Sequence, residues 1–308
     1  MNQIYNFKNN QPIVWFHRNI EYSNHWCLFC GEFVGPESKV SSNKEHLIGR
    51  DFVPKGSMNG TNFNFIFRAC EKCNGVKSNV ERHVSSVTLF NSPERSEDER
   101  INDIALNKAE KDFHPDNPGK TVVESFGQYE VKYGDFMKFK FTSPPQLNRE
   151  YVKLLSCYHV QGIFSLLTTM DPKVQKKSGL LPPNQIFYFN AYNVQDWGNP
   201  QLLEIAERTK DWPCYCNINT ANGFWKIVFK RSSENEGWFW ALEWNQYLRA
   251  IGGIALPDYN QKIFQKLPEL NWKHIQNQDG TSSRTRKEIP LEDEKDELFI
   301  AEVISTNT

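Results

Sequence analysis

Residues 27–30 read Cys-Leu-Phe-Cys, and residues 70–90 read CEKCNGVKSNVERHVSSVTLF. Each Cys-x-x-Cys pair can offer two thiolates to one tetrahedral ion. An ion shared by both pairs closes the 39-residue loop between them into a single unit. Soft thiolates in tetrahedral geometry select zinc. Four protein ligands leave no open position, so such a zinc is structural and implies no catalysis by itself. Past Cys70, Val76, Val80, Val84 and Val87 recur at three- and four-residue steps, which predicts a helix ending before Asn91-Ser92-Pro93. The remaining cysteines (Cys157, Cys214 and Cys216) have no such grouping and are expected as buried thiols.

Between and just after the two pairs lie Lys44-Glu45-His46-Leu47-Ile48, then Asn62 and Asn64, then Asn74 directly behind Cys73. This ordered set resembles the zinc-bearing HNH endonucleases, whose pattern is CxxC, an acidic residue plus His, a middle Asn, and CxxC followed by Asn or His. The likeness covers residues 22–90, under a third of the chain. It implies a ββα-metal unit in which His46 is the general base at the end of the first strand. It implies that Glu45 and Asn74 hold a catalytic Mg²⁺ or Mn²⁺, and that the middle Asn orients the His loop. Asn64 fits that last position best, with Asn62 as the fallback. The chain departs from the pattern in having Glu for the commoner Asp, Gly49 where Pro is common, and Ser78 at a second helix-ligand position. His83 lies two turns past Asn74, too far to share its ion.

Phosphodiester hydrolysis needs a base for water and a cation for the charge that grows on phosphate. A neutral His serves as base near pH 7, and a carboxylate with an amide oxygen suits Mg²⁺. Neighbouring strand residues point to opposite faces, so Glu45 and His46 share a site only where the strand bends or ends. Taken alone, each residue has a plainer reading. His46 would be a hydrogen-bonded structural His, and Asn74 a helix cap. Lys77 and Arg82, on the early turns of the helix, either contact phosphate or form a solvated face. Glu81 is placed to pair with Lys77. Arg50, Lys55 and Arg68 are further candidate phosphate contacts.

The whole chain has 308 residues and a net charge of −1, which excludes a protein that coats nucleic acid by bulk charge. Residues 1–95 carry +3 and residues 96–308 carry −4, so any nucleic-acid contact must be local and N-terminal. No apolar run reaches the ~18–20 residues of a membrane span, and the start lacks the pattern of a secretory signal, so a cytoplasmic protein is expected. Three parts are predicted: residues 1–94 as the HNH domain, 95–120 as a charged connector with a short helix possible in its middle, and 121–308 as an α+β domain. In the last part, residues 121–142 alternate like a hairpin and 147–170 read as a long helix. Strands are expected at 185–194, 214–219, 223–231 and 237–244, and a helix at 200–212. The run from Glu288 to Glu302 reads as a solvated acidic tail or a strand flank.

Seven of the nine tryptophans fall in residues 197–272. Trp238, Trp240 and Trp244 share strand parity, so they form either a packed core or a platform that stacks bases. The expected fold class is therefore α+β, with a zinc-stapled ββα unit ahead of an antiparallel sheet. The resemblance implies a metal-dependent endonuclease that acts on DNA more than RNA, in restriction or anti-phage defence. The rival class is a zinc-stabilised binding module without catalysis. A third reading is a nuclease subunit active only with a partner ATPase or sensor.

Overall fold

A computed structural model describes residues 24–58, 64–133, 137–168, 185–232, 237–276 and 282–299. Asn62 lies outside them. The chain opens with strands β1 (Ser42–His46) and β2 (Ile66–Cys70), antiparallel in the register Ser42↔Cys70 to His46↔Ile66. Helix α1 (Glu71–Phe90) follows β2 without a loop. On β2, Phe67 and Ala69 point inward and are buried, as period-two alternation requires. The predicted helix end before Asn91 is correct. Of the valine set Val80, Val84 and Val87 are buried, and only Val76 is exposed. Lys77, Val80, Glu81 and Val84 form an inward stripe at the spacing i, i+3, i+4, i+7.

Residues 94–111 are more ordered than a connector. They form a short helix α2 (Glu94–Glu97) and the thirteen-residue α3 (Glu99–Lys111). Asp98 caps α3 by accepting from the Arg100 and Ile101 amides, and Ile101, Ala105 and Ala109 bury one stripe. The predicted hairpin is β3 (Gly127–Tyr133) with β4 (Met137–Ser143), and the long helix is α4 (Arg149–Thr168).

The second half is built on β5 (Ile186–Asn193), α5 (Pro200–Thr209), β6 (Cys214–Thr220), β7 (Trp225–Arg231) and β8 (Gly237–Trp244). It continues with β9 (Leu248–Ala255), α6 (Pro257–Phe264), β10 (Lys273–Gln276) and β11 (Ser282–Thr285). Five strands make one antiparallel sheet in the order β5-β9-β8-β7-β6. The expectation of a sheet from residues 185–244 omits β9, its second strand. All eight residues of β9 are buried, so LRAIGGIA shows no apolar–polar alternation to read. Its Gly252 is required: a Cβ there would lie 2.0 Å from the Phe187 carbonyl and 2.3 Å from the Trp240 ring.

The sheet packs on both faces. Trp240, Leu242 and Trp244 face α4 and α1, while Phe239 and Ala241 face α5 and α6. The aromatic residues are therefore core. Trp197, Trp225, Trp240 and Trp244 are fully buried, and Trp238 packs against Phe164, Tyr215 and Phe229. One hydrophobic cluster runs from Cys27 through Val84 and Leu155 to Trp244 and Ile254, so no separate core ends at residue 94. Asn245 stitches the join by donating to the Phe52 carbonyl at 3.2 Å and to Thr88 Oγ1 at 2.8 Å. In the acidic segment Glu288, Glu292, Glu294 and Glu297 are exposed, as a solvated run requires, and Asp296 is the exception. Asp296 is buried against Arg249 at 2.7 Å and accepts the Trp197 indole N–H at 2.9 Å. The class is α+β. Among the described residues, no helix is long and apolar enough to cross a membrane.

Candidate functional site

Cys27 and Cys30 sit on the loop before β1, Cys70 ends β2, and Cys73 lies in the first turn of α1. The hairpin and helix thus bring both pairs to one point. Their four Sγ atoms all lie within 4.8 Å of one another, and Cys30 Sγ is 3.6 Å from Cys70 Sγ. A tetrahedron with metal–sulfur bonds of ~2.3 Å has sulfur–sulfur edges of roughly 3.8 Å, so this set fits a zinc-sized ion. A hydrogen bond from Cys73 lowers Cys27 to about 5 and raises Cys73, which makes Cys27 the readiest thiolate. Burial raises Cys30 to about 11, so metal binding at neutral pH would release protons.

One turn along α1 is a second polar centre, which the sequence reading did not anticipate. Lys77 is fully buried. Its Nζ donates to Glu45 Oε1 at 2.7 Å, to Glu81 Oε1 at 2.7 Å and to the His46 carbonyl at 3.0 Å. Glu81 Oε1 also accepts the Gly49 amide at 3.0 Å. A Cβ on Gly49 would come within 2.5 Å of Glu81 Oε2, so the Gly in place of Pro is what lets the loop close on this carboxylate. Burial alone would lower Lys77, but Glu81 and Glu45 together hold it above its ordinary range. Burial pushes Glu81 up, and Lys77 and His159 outweigh it to hold the carboxyl low. Glu45 is raised to about 6, because burial exceeds the pull of Lys77.

Beneath Glu81 lies His159 of α4. Its Nδ1 accepts the Trp244 and Trp225 indole N–H groups at 3.1 and 3.3 Å, which leaves Nε2 3.6 Å from Glu81 Oε1. Burial lowers His159 to about 4, so it is neutral at pH 7. Lys77 and Glu81 were readable only as a surface i, i+4 pair. The signal that could have placed them inside is their shared stripe with Val80 and Val84.

The expected site residues separate as follows. His46 is the last residue of β1, where Glu45 and His46 can diverge, and it is half-buried. Asn64 clamps the loop behind it: its Oδ1 accepts the Ile48 amide at 3.1 Å and its Nδ2 donates to the Ile48 carbonyl at 2.8 Å. Glu45 and Asn74 give their polar atoms to different partners, Glu45 to Lys77 and Asn74 Nδ2 to Asn43 Oδ1 at 2.5 Å. Magnesium usually takes one or two carboxylates, and here Glu45 Oε1 is engaged by the buried ammonium. Lys77 cannot contact phosphate, since no part of it reaches the surface; that expectation is corrected. Arg68 bonds Ser42 Oγ at 2.7 Å across the hairpin. Arg50 and Arg82 are exposed and lie together at a cleft beside the His loop. His83 is structural, its Nε2 accepting the Asn148 amide at 2.9 Å. In the second half, Lys226 pairs with Glu243 at 2.9 Å and Lys230 is buried, so neither is offered to a polyanion.

On these features the chain is an α+β protein whose N-terminal ββα unit carries a four-cysteine centre able to hold a metal ion. No family model, no curated protein and no solved structure matches it.

Proposed function

We propose that this protein is a zinc-stapled HNH-type endonuclease that hydrolyses phosphodiester bonds in nucleic acid, DNA more than RNA. The observation that carries the reading is the Asn64 clamp on Ile48, two residues past His46, in a ββα unit whose strands and helix meet at four cysteines. A rigid loop there fixes the backbone that carries His46, as a general base needs. His46 takes the proton of the attacking water in this scheme. Lys77 is a positioning residue, because it grips the His46 carbonyl and touches no solvent. No step is assigned to Glu45. Restriction or anti-phage defence in the cytoplasm is the proposed setting, with a partner ATPase or sensor as a further requirement to test.

The test is nicking of supercoiled plasmid by purified protein, with Mg²⁺, with Mn²⁺ and with EDTA, alongside His46→Ala. Loss of cleavage in His46→Ala with unchanged zinc content supports the assignment. Full cleavage by that variant would overturn it. A second reading, a nucleic-acid-binding module without catalysis, is favoured by one observation, the capture of Glu45 by Lys77. Plasmid binding with no cleavage under any metal would select it.

A further inference from the structure

Helix α3 does more than connect. Its buried stripe, Ile101, Ala105 and Ala109, turns a second stripe outward, made of Ile104, Asn107, Lys108 and Lys111. That stripe is one wall of a cleft of about 730 Å³. The rest of the lining comes from the loop Gly49–Val53, which follows the His46-Leu47-Ile48 segment, and from Ser78, Glu81 and Arg82 of α1.

Five cations line this cleft: Arg50, Lys55, Arg82, Lys108 and Lys111. Lys108 is committed to the architecture. Its Nζ donates to the Asp51 carbonyl at 3.0 Å and lies 4.0 Å from Asp112, which ties α3 to the loop and sets the width of the cleft. Glu81, one of three acids in the lining, is neutralised from behind by Lys77. Arg50, Lys55, Arg82 and Lys111 are exposed and make no ion pair with a described carboxylate. Five cations against Asp51, Glu81 and Asp112, with Glu81 already answered by Lys77, leave an excess of positive charge around one groove of a chain of net charge −1, which makes it a local anion-attracting site.

We infer that this cleft binds the phosphodiester backbone of a nucleic-acid strand and delivers it to the loop behind His46, with Lys111 of α3 and Arg82 of α1 as phosphate contacts. The inference rests on the nuclease reading and adds to it a path for the strand and a wall from residues 99–111. Backbone contacts of this kind position without reading sequence. Each phosphate neutralised releases a counterion, so each contact adds about −0.9 to the slope of log affinity against log salt.

The experiment is fluorescence anisotropy with labelled duplex DNA, and separately with single-stranded DNA and RNA, across a potassium chloride series without added magnesium. The proteins are wild type, Arg82→Ala, Lys111→Ala and Arg100→Ala, the last on α3 but off the cleft, each checked for an unchanged melting temperature. Arg82→Ala and Lys111→Ala should each weaken binding roughly fivefold near 0.15 M salt and reduce the slope by about 1, whereas Arg100→Ala should do neither. The same pattern on RNA alone supports the cleft with RNA as the strand. If wild type binds and both cleft variants keep its affinity and slope, the cleft assignment is overturned while the nuclease reading stands. If wild type binds none of the three nucleic acids at low salt, both fall.

Discussion

Two centres, one turn apart on α1, join that helix to the hairpin. The four cysteines hold its first turn to the loop before β1 and the end of β2. Lys77 holds its second turn to Glu45 and the His46 carbonyl at the other end of β1. The first is built from soft thiolates that an ion can draw together and a chelator can release. The second is a fixed, fully buried ammonium between two carboxylates. They differ in what each costs when broken. Loss of the ion leaves thiols, which burial tolerates, while loss of Lys77 leaves two buried carboxylates with no counter-charge.

The largest expected effect is on the first centre. Cys70→Ser, or a strong chelator, should release the bound metal and melt the ββα unit, because structural zinc supplies on the order of 10 kcal/mol of folding free energy in small domains. Metal content per chain and circular dichroism melting measure it, and an unchanged melt would deny the centre a structural role. Next comes Lys77→Met, which should cost about 3–5 kcal/mol in urea unfolding. Adding Glu45→Gln and Glu81→Gln should recover part of that loss, since the orphaned charges are then removed. A cost below ~1 kcal/mol for Lys77→Met would mean that the ammonium is not a staple.

A smaller effect is the pH dependence of stability. His83 and His159 are both lowered to about 4 by burial, against an ordinary 6.5. The unfolded chain then binds more protons between those values, so stability is full above about pH 6.5 and falls as pH drops toward 4. Each His should remove about 2 kcal/mol between pH 7 and pH 5. Glu45, raised from 4.5 to about 6, acts in the opposite sense: its contribution is full below 4.5 and is lost as pH rises through 6. Urea midpoints at pH 5 and 7 for wild type and His83→Gln test this, and equal slopes in the two proteins would remove His83 from the account. The smallest effect is Asn64→Ala, expected at about 1–3 kcal/mol from two orphaned Ile48 groups. Faster hydrogen exchange at the Ile48 amide is its sharper readout, and unchanged protection would show that the clamp is not what holds the loop.

The first centre was legible because metal ligation is written in identities and spacing. Two CxxC pairs, a strand ending at His46 and a helix after Cys73 all follow from local rules. Asn64 stood out as a candidate beside Asn62, which lies outside the described residues, and only the hydrogen bonds to Ile48 show what the Asn64 amide grips. Lys77 was not legible, because a lysine on an early helical turn is usually solvated, and the residues that bury it come from elsewhere. Its partners Glu45 and the His46 carbonyl come from β1, and His159, which backs Glu81, arrives from 82 positions further along the chain. The strand β9 escaped for a related reason: alternation reports a half-buried strand, and this one is buried on both faces.

The sequence by itself determined the cysteine centre, the order of hairpin and helix, the α+β class and the placement of positive charge near the N-terminus. Each of these rests on residue type and on spacing of a few positions. Only the tertiary structure decided which charges face water. It put Lys77 and Glu81 inside and Arg82 outside on the same helix, and it turned residues 99–111 from a linker into the wall of a basic cleft. Burial is set by packing partners distant in sequence, and the desolvation that goes with it decides whether a charged side chain can meet a ligand or must be answered within the fold.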